Sequence, residues 1–185
     1  MMIETENTPN PDTLKFLPGK KVSEIGPVEF LKSDKNIKVP LAEKILSLQG
    51  ITMVFFGEDF ITVKKEKNLN WDDLKHGIIS EINHYYSKDN TVVVSKDLNK
   101  KKSTSDTDQP DDVIKKINEI LDTKVRPAVA RDGGDITFKS FKDGIVEVEL
   151  KGSCSGCPSS VMTLKQGVQN LLCHYVPEVK SVEAH

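Results

Sequence analysis

Positive charge is not in surplus in either half of this sequence. Its 26 Lys and Arg stand against 28 Asp and Glu, a net of −2. The balance also holds locally, at 12 against 13 in residues 1–88 and 10 against 11 in residues 110–185. Nucleic-acid binders concentrate Lys and Arg on one domain to neutralise phosphates, so no nucleic-acid partner is expected. Long apolar runs are missing as well. None approaches the roughly 18–20 residues that cross a bilayer as a helix, so no membrane partner is expected either. The opening Met1-Met2-Ile3-Glu4-Thr5-Glu6 lacks the cationic start and apolar centre of a secretory signal and the arginine-rich character of a mitochondrial leader. A soluble chain that stays in the compartment of its synthesis follows, unless a leader was already removed. Cysteine is scarce and odd in number: Cys154, Cys157 and Cys173. Two of the three share one tight loop, a poor disulfide framework but a good metal or redox site in a reducing compartment. No Ser–His–Asp set, phosphate-binding glycine loop or spaced carboxylate pair stands out, and the chain is not expected to be an enzyme.

What is present reads as two small α+β domains. Residues 95–109, with Asn99-Lys100-Lys101-Lys102-Ser103-Thr104-Ser105 at their centre, are too polar to bury themselves and read as a flexible linker. They separate a domain over residues 1–94 from one over residues 110–185. In the first, Ile3–Thr5, Leu14–Leu17 and Val28–Leu31 are short strand candidates between Pro- and Gly-rich turns. Pro40 opens a helix that Gly50 stops. Ile51–Phe56 and Phe60–Val63 form a hairpin. Asn70 caps a helix with Trp71, Leu74, Ile78, Ile82 and Tyr86 on one side. Thr91–Val94 is expected to add a strand. The result is a sheet with two packed helices. In the second domain, a helix from Pro110 runs through Ile117 and Leu121 toward Val129, kinked or restarted near Pro127. Asp135–Phe141 and Ile145–Leu150 make a hairpin at Lys142-Asp143-Gly144. A long helix spans Pro158 to about Tyr175, and Val179–Val182 is a candidate last strand. This is a helix–hairpin–helix domain with the cysteine loop at the start of the last helix.

That loop, Gly152-Ser153-Cys154-Ser155-Gly156-Cys157-Pro158, holds the chemistry. Two cysteines with two residues between them aim both sulfurs at one centre, and thiolates are the usual ligands of iron–sulfur clusters and of structural zinc. Pro158 suits the first helical position. Cys157 is therefore expected at or beside the helix cap, where unpaired amides and the helix dipole favour an ionised sulfur. Gly152 and Gly156 leave room for a bulky inorganic core and let amides turn toward its sulfides.

A cluster needs four ligands and this loop supplies two. Cys173 lies sixteen residues beyond Cys157 on the same helix, roughly 24 Å along its axis, whereas a metal–sulfur bond spans only about 2.3 Å. It reads as a small apolar side chain. Two chains, each bringing Cys154 and Cys157, would complete the set, which places the site at a dimer interface and suits transfer. On these residues alone three readings stay open: an iron–sulfur carrier, a zinc-bridged dimer, and a thiol–disulfide oxidoreductase. The last has support, since a strand, Cys-x-x-Cys and a helix also make a thioredoxin-like site. No aromatic residue precedes Cys154, however, and the βαβ pattern is absent.

Other residues carry weaker signals. Arg131-Asp132-Gly133-Gly134-Asp135 reads as a helix-to-strand turn needing positive backbone angles, or as a segment beside the site. Lys151 and Lys165 read as surface charges, with offsetting the charge of a cluster as the alternative. His76 and His84 read as surface or boundary residues rather than ligands, His174 lies too far along the last helix to join the loop, and His185 reads as a mobile end. Asn7–Asp12 is expected to form a tight turn that fixes strand register.

Residues 125–178 supply long, ungapped motifs: Val-Arg-Pro-Ala-Val-Ala-Arg-Asp-Gly-Gly-Asp-Ile, Cys-Ser-Gly-Cys-Pro-Ser-Ser, Thr163-Leu164-Lys165-Gln166-Gly167 and Val176-Pro177-Glu178. They closely resemble the C-terminal domain of NifU-like proteins. Asn7-Thr8-Pro9-Asn10-Pro11-Asp12-Thr13-Leu14-Lys15-Phe16 resembles the opening of the N-terminal domain of Nfu-type members. The resemblance implies an iron–sulfur cluster scaffold or carrier. It implies a 4Fe–4S cluster, with 2Fe–2S as the smaller alternative, bridging two chains through the residues that match Cys154 and Cys157. The implied partners are a second copy, an upstream cluster donor and apo iron–sulfur client proteins. The N-terminal domain, which has no cysteine, is left with client recognition. A bacterial cytoplasm is the expected location, with the mitochondrial matrix after leader removal as the alternative.

Overall fold

The computed structural model describes residues 2–88, 92–95, 112–155 and 158–185, without the side chains of residues 158–160. The expected linker, from residue 96 onward, lies outside the described residues, as do Pro110 and Asp111. The chain divides into two compact units, residues 1–102 and 103–185. Both mix helices with sheet, so the fold class is α+β. Among the described residues, no helix is long and apolar enough to cross a membrane.

The first unit has strands β1 (Glu4–Asn7), β2 (Thr13–Leu17), β3 (Val28–Leu31), β4 (Ile51–Phe56) and β5 (Ile61–Lys65), with helices α1 (Pro40–Ser47) and α2 (Trp71–Ser87). The strands form one antiparallel sheet in the order β1-β2-β5-β4-β3. The turn between β1 and β2 is tied by side chains. Asn10 Oδ1 accepts the Asp12 amide at 3.0 Å, and the Thr13 amide donates to the Asn10 carbonyl at 3.0 Å. The Thr8 and Thr13 hydroxyls are bonded to each other. These bonds fix which residues of β1 and β2 pair. Alternation then sends Leu14, Phe16, Val54, Phe56, Ile61 and Val63 to one face, against Ile45 of α1 and Ile78 and Ile82 of α2. Each such fully buried side chain contributes about 1.5–3 kcal/mol.

Two expectations need correction here. Asn70 stands at the N-cap of α2, but its side chain makes no capping bond. Asp72 and Asp73 in the first turn favour the helix dipole, and burial of Ile78, Ile82 and Tyr86 holds the helix down. Of the expected strand Thr91–Val94, Thr91 lies outside the described residues and Val92–Val94 makes no strand. Val94 forms a single bridge with Ser23, and Val93 and Val94 both donate to the Val22 carbonyl.

The second unit runs α3 (Asp112–Ile120), a π-helical turn over Leu121–Val125, α4 (Arg126–Arg131), β6 (Gly134–Lys142), β7 (Ile145–Gly152), α5 (Pro158–Tyr175) and β8 (Ser181–Ala184). The widened turn is the break expected near Pro127. Pro127 has no amide to donate, and the Arg126 amide reaches back five residues to the Leu121 carbonyl. β6 and β7 pair antiparallel through Asp143 (φ 53°) and Gly144 (φ 85°). Two positive φ angles in a two-residue loop suit the natural twist of a hairpin. β8 then pairs with β7 in parallel, after the α5 crossover that parallel pairing requires. His185 is not loose: its amide donates to Val148 at 3.1 Å and its carbonyl accepts from Leu150 at 3.0 Å, continuing the β8 ladder. The core joins Ile117, Leu121, Val129, Ile136, Val148, Leu172 and Val182.

Candidate metal centre

β7 ends in Gly152 (φ 70°), which turns the chain out of the sheet into Ser153, Cys154 and Ser155. The Ser155 amide and hydroxyl both return to the Gly152 carbonyl, at 3.2 and 3.0 Å. The Ser153 amide donates to the Gly133 carbonyl at 3.1 Å, and its hydroxyl donates to the Asp132 carbonyl. The loop is therefore pinned to the turn between α4 and β6. Cys154 lies just beyond, only 4% exposed.

Gly134 explains the fit. A Cβ built there would meet the Lys151 carbonyl at 2.6 Å and the Cys154 sulfur at 2.9 Å. Gly133 needs its glycine for a φ of 80°; Gly134 needs its own because the Cys154 sulfur occupies the space a side chain would take. The Arg131–Asp135 segment is thus both a helix-to-strand turn and a wall of the site. Sequence reasoning offered these as alternatives, and it missed Ser153 as the anchor between the two loops.

Cys157 lies outside the described residues. Cys173 is partly buried against the core of its unit. His76, His84 and His174 are exposed. Among the described residues, no three or more His, Cys, Asp or Glu converge as a metal-binding group. The described part of the centre is one thiol in a shaped space.

Several charges on the flanking elements are paired. Lys151 lies 3.3 Å from Glu149, which Lys139 also meets at 2.8 Å. The hydrogen bond from Lys139 leads in holding the Glu149 carboxyl below its usual range, with Lys151 adding to it. Lys165 bonds Glu183 at 2.8 Å. Asp135, 5% exposed, meets Arg126 Nε at 3.2 Å. Burial pushes its carboxyl above the usual range, and the Arg126 guanidinium offsets only part of that. Arg126 also binds Asp122 at 2.9 Å and donates to the Ile136 carbonyl at 3.1 Å, clamping the π-helical turn to the start of β6. Thiols of this kind can ligate a soft metal when ionised or form a disulfide.

Comparison with known proteins agrees with both units. The family described as "Scaffold protein Nfu/NifU N terminal" matches residues 3–89, and the "NifU-like domain" matches residues 117–183. The "NFU1 iron-sulfur cluster scaffold homolog, mitochondrial" of Homo sapiens is 43% identical over 184 residues, covering 99% of this chain and 71% of that protein. "NifU-like protein 4, mitochondrial" of Arabidopsis thaliana is 43% identical over 185 residues, covering 99% and 65%. The chain thus spans about two thirds of the length of these relatives. A solved NifU-like protein from Saccharomyces cerevisiae is 27% identical, with a TM-score of 0.47, over 52% of this chain and 86% of that one. With both domain families matched in order and 43% identity to a relative across 99% of this chain, the chain belongs to the NifU-like family of Nfu type.

Proposed function

We propose that the chain is an iron–sulfur cluster scaffold and carrier. In this reading Cys154 and Cys157 bind a 4Fe–4S cluster shared by two copies, and client thiolates then replace them as ligands. The observation that carries the reading is the Cys154 sulfur resting against the bare Cα of Gly134: side-chain volume is withheld beside a thiol in a pinned loop. The relatives' names support the scaffold role. The ligand shortage supports sharing, because four sulfurs are needed and each loop has two. The start of α5 directly after Cys157 supports an ionised sulfur, through the positive end of the helix.

The protein's own contribution is binding and orientation rather than catalysis. Ser153 holds the loop to the Asp132–Gly134 turn, and the bare Gly134 leaves room there for the Cys154 sulfur. Residues 1–94 and 110–185 act as two domains joined by residues 95–109, with client recognition falling to the first. The mitochondrial names of the relatives support a matrix location; a bacterial cytoplasm meets the same need for reduced thiols.

Anaerobic reconstitution with ferrous iron and sulfide tests the reading. The expected product is a dimer with broad visible absorbance and about four iron per two chains, able to activate an apo iron–sulfur protein. Cys154→Ala should lose the iron and keep the fold. A loaded monomer that retains all its iron without an added thiol would overturn the shared site. Catalytic disulfide reduction by the metal-free chain would favour the dithiol oxidoreductase, and tight zinc with no cluster would favour the zinc-bridged dimer.

A further inference from the structure

Helix α5 leaves directly from the cysteine loop, and its outward face differs from that of the other long helices. Its exposed residues are Met162, Thr163, Gln166, Gly167, Asn170, His174 and Tyr175. None is Asp, Glu, Lys or Arg, in a chain of which 29% is charged. Lys165, the one such residue of α5, is bound to Glu183 at 2.8 Å. By contrast, α2 exposes Asp72 and Asp73, and α3 exposes Asp112, Lys115, Lys116 and Glu119. At 3.6 residues per turn, Met162, Gln166 and Asn170 form a row with Thr163, Gly167 and His174 beside it. Met162 is 72% exposed, and a Cβ at Gly167 would meet nothing within 4 Å.

Resting on the shared-cluster reading above, we infer that this uncharged stripe is the surface on which a second copy of the chain packs, α5 against α5. Ligation allows little freedom, since each metal–sulfur bond spans about 2.3 Å. Met162 and Gln166 lie about 6 and 12 Å along the axis from the start of α5, which makes them the part of the stripe nearest the cysteine loop. In a two-fold pairing near its axis, a residue meets its own kind. A charged stripe would set like against like, which costs binding energy; an uncharged one does not. Met is an adaptable apolar contact enriched in interfaces, and the absent side chain at Gly167 lets a partner backbone come close.

Met162→Glu is the test, because it would put two carboxylates face to face at a surface position where substitution usually leaves the fold intact. Cluster-loaded wild type and variant would be compared by anaerobic sizing and by the rate of iron loss to a chelator. Met162→Glu should shift toward monomer and lose iron on the order of tenfold faster. An equal mixture of Met162→Glu and Met162→Lys chains should regain the dimer and most of the retention. Lys116→Glu, on the exposed face of α3, should behave as wild type. The inference is overturned if Met162→Glu keeps dimer and iron at the wild-type rate, or if Lys116→Glu fails equally. It is also overturned if Met162→Glu stays dimeric yet slows delivery to an apo-protein, which would assign the stripe to clients. Wild type that binds no iron, or holds it as a monomer, sinks the shared-cluster reading and this inference with it.

Discussion

At the level of single residues, the contact between Gly134 and Cys154 makes the sharpest demand. Gly134→Ala forces either β6 or the thiol to move, because the new methyl would lie 2.6 Å from the Lys151 carbonyl and 2.9 Å from the sulfur. Overpacking of this kind costs about 1–3 kcal/mol. The second unit should lose that much in a urea melt, and iron per chain after reconstitution should fall. Gly167→Ala, with open space at its Cβ, should instead stabilise the metal-free chain by roughly 0.5–1 kcal/mol. A Gly134→Ala chain with wild-type iron content would show that the thiol does not need the space. The proposal that Cys154 and Cys157 act as a pair could be made from the sequence because thiol chemistry and spacing are local properties. Their neighbour across the hairpin could not be read the same way. Counting outward from the Asp143-Gly144 turn pairs Ser140 with Glu147, but a bulge between Phe138 and Ser140 then shifts the ladder by one and sets Gly134 opposite Gly152. Nothing in Phe138-Lys139-Ser140 announces that extra residue.

Among the elements, those with a strong period and clear punctuation were read closely. The structure places α5 at Pro158–Tyr175 and α1 at Pro40–Ser47, where proline and apolar spacing had put their starts. What depended on distant partners was harder to read. Val92–Val94 has the β-branched composition of a strand, but it finds only one bridge, to Ser23. The parallel alignment of β8 with β7 is set by the path of α5 rather than by Ser181–Ala184. β8 binds that helix to the sheet: the Val182 amide donates to Gln169 at 3.2 Å, Lys165 meets Glu183, and the Val182 side chain is wholly buried. Removing residues 181–185 discards these contacts and uncovers one edge of β7. Burial of a valine alone is worth about 1.5–3 kcal/mol, against a total of about 5–15 for a typical domain. The truncated chain should therefore lose the folded signal of its second unit. The single tryptophan, Trp71, sits in the first unit, so its fluorescence melt should be unchanged while far-ultraviolet circular dichroism falls. Retained ellipticity and a cooperative second transition would count against β8 as a keystone.

For the molecule as a whole, the division into two units predicts separable behaviour. A fragment of residues 110–185 should fold and take up the same iron per chain as the full protein, and residues 1–94, which have no cysteine, should take up none. If the shorter C-terminal piece remained unfolded, the two units would have to be interdependent. The order of β7, α5 and β8 also bears on how the protein is made. The third strand of the smaller sheet joins its neighbour only after an entire crossover helix, so pairing waits until about thirty residues beyond Cys154 have been added. A ribosome adds on the order of 5–20 residues per second. Until that strand docks, the sulfur lacks part of the packing that later buries it, and an oxidant present while the chain folds would reach it more readily than one arriving after the sheet has closed.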